Sequence, residues 1–263
     1  MRPPSKILAS AGLAASLALG ALGALGALGA ALAACGGGSD SPPGPLAKHF
    51  DDMYIAAIPP AQKPSVVQTQ NDWSVARMEN AKAEADYNES ATQLSVAQND
   101  QKAAHLGVES AVANKKAAEA SADTNRVNDA TKNLHTAEDL AKAADARVKY
   151  IEAYRNYLQV AMRYAQENVY WREAQYEVAK SQVGQGNHIA PKGVEFDAFP
   201  KQEQERRKRT DAAKERLDTE KGRVQSVREN WMKAQETADR EYGRPANFPD
   251  PMAARSGSSG SSL

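Results

Sequence analysis

The chain has 263 residues of which 41% are hydrophobic, yet only four are Phe and much of the apolar fraction is Ala, a makeup that argues against a thick globular core. Of its 33 basic and 33 acidic residues all but six are spread almost evenly from position 48 to position 242, so no basic domain calls for nucleic acid. The single cysteine, Cys35, excludes an intrachain disulfide and any Cys-based metal site.

Residues 1–34 open with Arg2 and Lys6 and continue as an apolar run of small residues from Ile7 to Ala34 containing a tandem ALG repeat. A run of about 28 residues could span a bilayer. Its glycines, the small residues at its end and the lack of a following basic stop-transfer cluster favour a cleaved signal peptide instead. Leu32, Ala33, Ala34 and Cys35, followed by Gly36, resemble the lipobox of bacterial lipoproteins. The resemblance implies cleavage by signal peptidase II between Ala34 and Cys35, and acylation of the Cys35 thiol with palmitate-type chains. Gly36, where an Asp commonly retains lipoproteins at the inner membrane, implies the outer membrane. Several acyl chains on one Cys make a stable anchor, since each buried CH₂ contributes about 0.8 kcal/mol. Cleavage leaves 31 basic residues against 33 acidic ones.

Residues 35–71 read as lipid attachment, flexible linker and a short amphipathic helix. Gly36 to Pro45 is a Gly, Ser and Pro tether. Leu46, Phe50, Met53, Tyr54 and Ile58 fall at helical spacing before Pro59 and Pro60 stop the pattern. Asp51 and Asp52 favour docking on the other helices over immersion in lipid head groups.

Residues 72–243 read as a long helical coiled-coil region with a loop at 184–200. Asp72 is a good N-cap before Trp73. A first heptad has Trp73, Asn80, Tyr87, Leu94, Gln101 and Val108 at one seam position and Ala76, Ala83, Ser90, Ala97, Ala104 and Ala111 at the other. A second heptad, with Val127, Leu134, Ala141 and Val148 against Ala130, Ala137, Ala144 and Ile151, is out of phase with it, because Val127 follows Val108 by 19 residues. A phase shift within one rod and a turn at Asp123 to Asn125 leave similar sequence. The absence of Gly or Pro there favours a continuous or kinked helix, and both readings stay open.

The stretch 147–183 has neither Gly nor Pro and holds seven of the chain's twelve Tyr and Trp residues. One apolar stripe runs through Val148, Ile151, Tyr154, Leu158, Ala165, Val169, Tyr176 and Val183. A second row, Tyr150, Tyr157, Tyr164 and Trp171, repeats every seven residues beside it. Two rows ask for at least two packing partners. Aromatics at helical spacing are usually core, and the second row, Tyr150, Tyr157, Tyr164 and Trp171, is also the candidate partner-binding or sugar-binding strip. Residues 46–58, a second copy of the chain or another protein should cover whatever the last helix leaves open.

Gly184 is a good C-cap, and Gly186, Pro191, Gly193 and Pro200 mark the loop. A last helix from about 201 to 242 carries Ala213, Leu217, Val224, Val227, Trp231, Ala234, Ala238 and Tyr242 on one stripe. Folded back on 147–183 as an antiparallel hairpin, it puts Trp231 near Ile151 to Tyr154. Residues 244–263 read as a disordered tail.

No set of groups for catalysis, no metal site and no cofactor motif is read from the chain. His49, His105, His135 and His188 are isolated, and the shared-face spacings His105 with Glu109 and His135 with Glu138 lack a third ligand. The basic run Arg206, Arg207, Lys208 and Arg209 sits among acids of the same helix, which favours a solvated face over an anion site. The sequence therefore describes an all-α protein, an elongated antiparallel helical hairpin or coiled coil with a three-helix bundle as the closed form. Its expected role is non-enzymatic: a periplasm-facing outer-membrane lipoprotein acting as spacer, scaffold or adaptor in a cell-envelope assembly, with the loop 184–200 as its far end. Membrane contact through the N-terminal lipid and a protein partner or self-association through the helices are the expected partners. Residues 150–183 also look like the long helices of TolC-like efflux ducts and their adaptors, which implies a transport component as the alternative, and a cell-wall or glycan-binding module is a third reading.

Overall fold

The structure, a computed structural model, describes residues 42–243 and 248–256. They form α1 (Asp52–Ala56), a 3-10 turn (Pro60–Gln62), α2 (Pro64–Ala120), α3 (Thr124–Gly186), α4 (Ala198–Tyr242) and α5 (Pro251–Ser256), with no strand among the described residues. The fold is an all-α bundle built on three long helices. None of the described helices is long and apolar enough to cross a membrane.

Helix α2 starts at Pro64, whose fixed φ suits the first helical position, and not at Asp72. Asp72 lies inside the helix and accepts a hydrogen bond from Gln68 Nε2 at 2.9 Å. The heptad seam is the face that packs on α3. Ala76, Ser90, Ala97, Ala111 and Ala118 are buried, and Trp73, Tyr87, Leu94 and Val108 are half-buried beside them.

The continuous helix favoured at 112–125 is overturned. The chain reverses at Ser121, Ala122 and Asp123, and α3 runs back along α2. Ala122 takes the left-handed conformation, φ 56°, that ends a helix, and the Asp123 side chain caps α3 by accepting from Asn125 N at 3.0 Å and Arg126 N at 3.3 Å. The usual Gly signal is missing because an Ala bears the strained φ. The two heptads are out of phase because they belong to two helices facing each other.

Gly184 is likewise not a C-cap. Helix α3 continues to Gly186 and ends on Asn187, whose side chain donates to Val183 O at 2.9 Å, with His188 in the left-handed region at φ 59°. Helix α4 packs on α3 as an antiparallel partner, and Trp231 stacks on Tyr150 with ring centres 5.1 Å apart, next to Ile151 and Tyr154. Tyr242, the last member of the α4 stripe, is exposed at the end of the helix. Helix α3 is thus central: it packs on α2 and on α4, while α2 and α4 share no comparable interface.

Two short segments pack beside α3 as well. The expected helix at 46–58 is helical only at Asp52–Ala56, and residues 43–51 form an extended strap in which Pro43, Leu46 and Phe50 are buried. The tether reading of Gly36 to Pro45 is therefore corrected at its end, and its first residues lie outside the described ones. The tail expected to be disordered from 244 to 263 is corrected over its described residues 248–256: Phe248 and Met252 pack on the core around Tyr150 and Trp231, with Met252 inside α5.

Replacing Ala122 with Gly removes the Cβ penalty of the left-handed conformation, about 1 to 2 kcal/mol, against a backbone entropy cost of about 0.5 to 1 kcal/mol. We expect Ala122→Gly to raise the melting temperature by a few degrees. A lower value would mean that the α2–α3 reversal is shaped otherwise.

Candidate functional site

The polar groups that the fold withdraws from water are concentrated where the two straps meet α3 and α4. Near the end of α3, the Glu177 carboxylate is buried and accepts the Phe50 backbone N–H through Oε2 at 2.6 Å. Its Oε1 faces Lys180 Nζ at 2.8 Å and His49 Nδ1 at 3.5 Å, and Lys180 Nζ also donates to Asp52 Oδ1 at 2.8 Å. Burial would depress the Lys180 ammonium, but the Asp52 and Glu177 carboxylates outweigh it and hold its pKa above the usual lysine value. Burial raises the Glu173 carboxyl one turn earlier.

From α4, Gln202 holds the strap by both ends of its amide: Oε1 accepts from Ala47 N at 3.0 Å and Lys48 N at 2.9 Å, and Nε2 donates to Lys48 O at 3.0 Å. Arg206 donates to Gly44 O at 2.8 Å and Pro45 O at 3.1 Å. The Phe50 ring lies among Tyr54, Phe196 and Phe199, with centres 5.8 to 6.0 Å away. It presses on Gly184 so closely that a Cβ there would sit 2.6 Å from Phe50 Cζ. Close approach, and not a helix end, is what this glycine serves.

The second strap is held by Asp250. Its Oδ1 accepts from Tyr150 OH at 2.7 Å, and its Oδ2 accepts from Arg228 Nε at 2.6 Å. Burial would raise the Asp250 carboxyl, but the Arg228 and Tyr150 hydrogen bonds prevail and keep it below the ordinary range. The same burial, with the Asp250 charge beside it, pushes the Tyr150 phenol well above its usual value. Arg147, also buried, pairs with Asp100 of α2 and lies over the Phe248 ring at 4.1 Å. A cleft of about 250 Å³ opens beside it between α2, α3 and the end of α4, walled mostly by Ala103, Gly107, Leu140, Ala143 and Phe248.

The residues singled out from the sequence fare unevenly. Tyr150 is fully buried with its hydroxyl on Asp250, so as a partner-contacting residue it is corrected. Tyr157 is half-buried and stacks on Tyr154, and Trp171 donates Nε1 to Glu203 of α4 at 2.6 Å, so both serve the bundle. Tyr164 is half-buried on the same face. Ala34 and Cys35 lie outside the described residues. His105 pairs with Asp145 of α3 at 2.8 Å and not with Glu109, and His135 meets Glu138 at 3.5 Å. No group of three His, Cys, Asp or Glu among the described residues could hold a metal ion. Within the basic run Arg206 holds the strap, Arg209 pairs with the buried Glu167 at 3.0 Å, and Arg207 approaches Asp211 at 4.0 Å. Sequence reasoning missed Glu177, Lys180, Gln202 and Asp250, since neither their spacing nor their type sets them apart from the surface polar residues around them.

This chemistry is that of fastening. Each buried charge meets an opposite charge or backbone donors, as burial demands. Searches of protein-family models, curated proteins and solved structures find nothing that matches this chain.

Two variants test the fastening. Gly184→Ala must displace Phe50 and should cost about 1 to 3 kcal/mol, with faster tryptic cleavage after the exposed Lys48; unchanged melting and cleavage would mean that the strap does not lie on Gly184. Asp250→Asn should cost about 2 kcal/mol at neutral pH. A carboxyl held below its unfolded pKa of about 3.9 contributes stability above that pH and loses it as pH falls through the lower folded value. The variant should therefore lose less stability than the parent on acidification below about pH 4 in chemical denaturation; an identical acid limb would contradict the pairing.

Proposed function

We propose that this protein is a lipid-anchored, periplasm-facing helical spacer of the outer membrane, which works by length and rigidity and not by catalysis. The observation that carries this reading is the placement of the N-terminal strap. Gly44 is held by Arg206, eight residues into α4, and Phe50 by the end of α3. From Tyr170, beneath Arg206, helix α3 runs back to Thr124 over about 70 Å at 1.5 Å per residue. The strap at 43–51 is thus fastened beside the α3–α4 end, and the α2–α3 turn is the end of the long helices farthest from it. That replaces the expectation that loop 184–200 reaches outward. Beyond the end of α4 the tip, among the described residues, is an alanine-lined pair of helices, α2 and α3, a slender form suited to insertion into an assembly.

The lipid arm of the proposal is tested by Cys35→Ser, which should abolish incorporation of labelled palmitate and release the protein from membranes. Retention in the membrane fraction without acylation would remove the anchor. Orientation is tested with the acylated protein at sparse density on vesicles bearing a headgroup energy acceptor. A dye on Ala190→Cys should be strongly quenched and one on Ala120→Cys scarcely so. Equal quenching would mean that the molecule lies along the surface and is not a spacer.

A further inference from the structure

Gly107 stands well inside α2, where glycine is unfavourable because it gives up more backbone freedom than any other residue. No close approach offsets that cost. Phe50 presses on Gly184, but a Cβ added at Gly107 would meet no atom within 4 Å. What the missing side chain leaves open is the cleft of about 250 Å³ between α2, α3 and the end of α4.

The walls of that cleft are small or apolar: Ala103 and Gly107 from α2, Leu140 and Ala144 from α3, and the Phe248 ring. Two polar side chains border it, and both are almost wholly buried, Arg147 with 5% and Gln235 with 9% of its surface exposed. Gln235 Nε2 donates to Asp239 Oδ1 at 2.8 Å, which fixes the orientation of the amide, since a carboxylate can only accept. Gln235 Oε1 is therefore the buried atom without a donor. Arg147 commits a terminal nitrogen to Asp100, and its Nε–H is without an acceptor. Unpaired buried polar atoms are rare in folded chains and call for a cause.

We propose that this cleft binds a small neutral amphiphile, a compact apolar body carrying one hydroxyl, which donates to Gln235 Oε1 and offers Arg147 Nε–H an acceptor. A hydroxyl is the simplest group that does both. An anion has no uncompensated cation to meet, because Asp100 already neutralises Arg147. Water alone is a poor occupant, because apolar walls leave a cavity dry, and a volume of about 150 Å³ already admits benzene. A monocyclic phenol or a short-chain alcohol therefore matches the cleft in both size and chemistry. The apolar body takes the place of the side chain that Gly107 lacks. Binding here requires neither the lipid anchor nor the spacer role.

The test uses the full chain carrying Cys35→Ser, so that no acyl chain competes, with 4-fluorophenol and fluorobenzene as probes followed by fluorine NMR. The phenol should bind saturably. Fluorobenzene, close to it in shape but lacking the hydroxyl, should bind at least about fivefold more weakly, since it leaves Gln235 Oε1 unpaired. The double variant Ala103→Leu, Gly107→Leu, altered at two exposed α2 positions one turn apart, fills the cleft and should abolish saturable binding of both probes with unchanged helix content. Gln235→Met keeps the length of the side chain and should bring the two affinities to within about twofold of each other. No saturable binding of the phenol, equal affinity for the two probes, binding that survives the two leucines, or a preference unchanged in Gln235→Met would each overturn the proposal.

Discussion

Helix α3 is apolar on two sides, and the rest of the structure follows from having to cover both. A helix with one stripe is satisfied by one neighbour. With Val148, Ile151 and Leu158 on one row and Tyr150 and Tyr157 on another, α3 needs α2 and α4 together, and those two do not close on each other. The chain covers what remains with its own ends: Phe50 and Ile55 at one level, Phe248 and Met252 at the other. Each buried apolar Å² is worth about 25 cal/mol, so segments too short to fold alone are held by what they cover.

The straps bring backbone polar groups into poorly hydrated positions, which accounts for the buried charges. Phe50 N–H without Glu177 would forfeit the hydrogen bond it had in water. Glu177 in turn is tolerable only because Lys180 neutralises it. The same logic joins Tyr150, Asp250 and Arg228 at the other strap. These groups are electrostatically perturbed in the way an active site often is, yet each is saturated by a structural partner, and the perturbation measures fastening.

Helix α2 presents the complementary case. Its inner seam has one small, buried position, through Ala76, Ser90, Ala97 and Ala111, beside half-buried Trp73, Tyr87 and Leu94, and its other side is open. Alanine at one position of the inner seam lets α2 lie close to α3, and Val75, Met78, Val96 and Leu106 on the other side are not buried by any described residue. An arm made of two helices is thin enough to expose both sides of one of them, which a globular domain would not do.

Periodicity carried most of what could be read in advance. The heptads through Ala76 and Ala97, through Ala130 and Val148, and through Val224 and Trp231 marked the long helical stretches and the faces they bury, because those features depend on residue spacing, while they left open whether 72–183 is one helix or two. The resemblance of Leu32 to Cys35 to a lipobox is also a purely local pattern. What only the tertiary structure decided are features whose cause lies elsewhere in the chain. The reversal at Ala122 is stabilised by the long α2–α3 interface and so tolerates an alanine where a local reading looks for glycine. Gly184 reads as a helix end until Phe50, far away in sequence, is seen lying on it. Asp250 and Glu177 resemble any other surface acid until the straps bring their partners within hydrogen-bond reach. Spacing dictates which face of a helix is buried, but which distant residue comes to lie on that face is settled by closing the whole chain around α3.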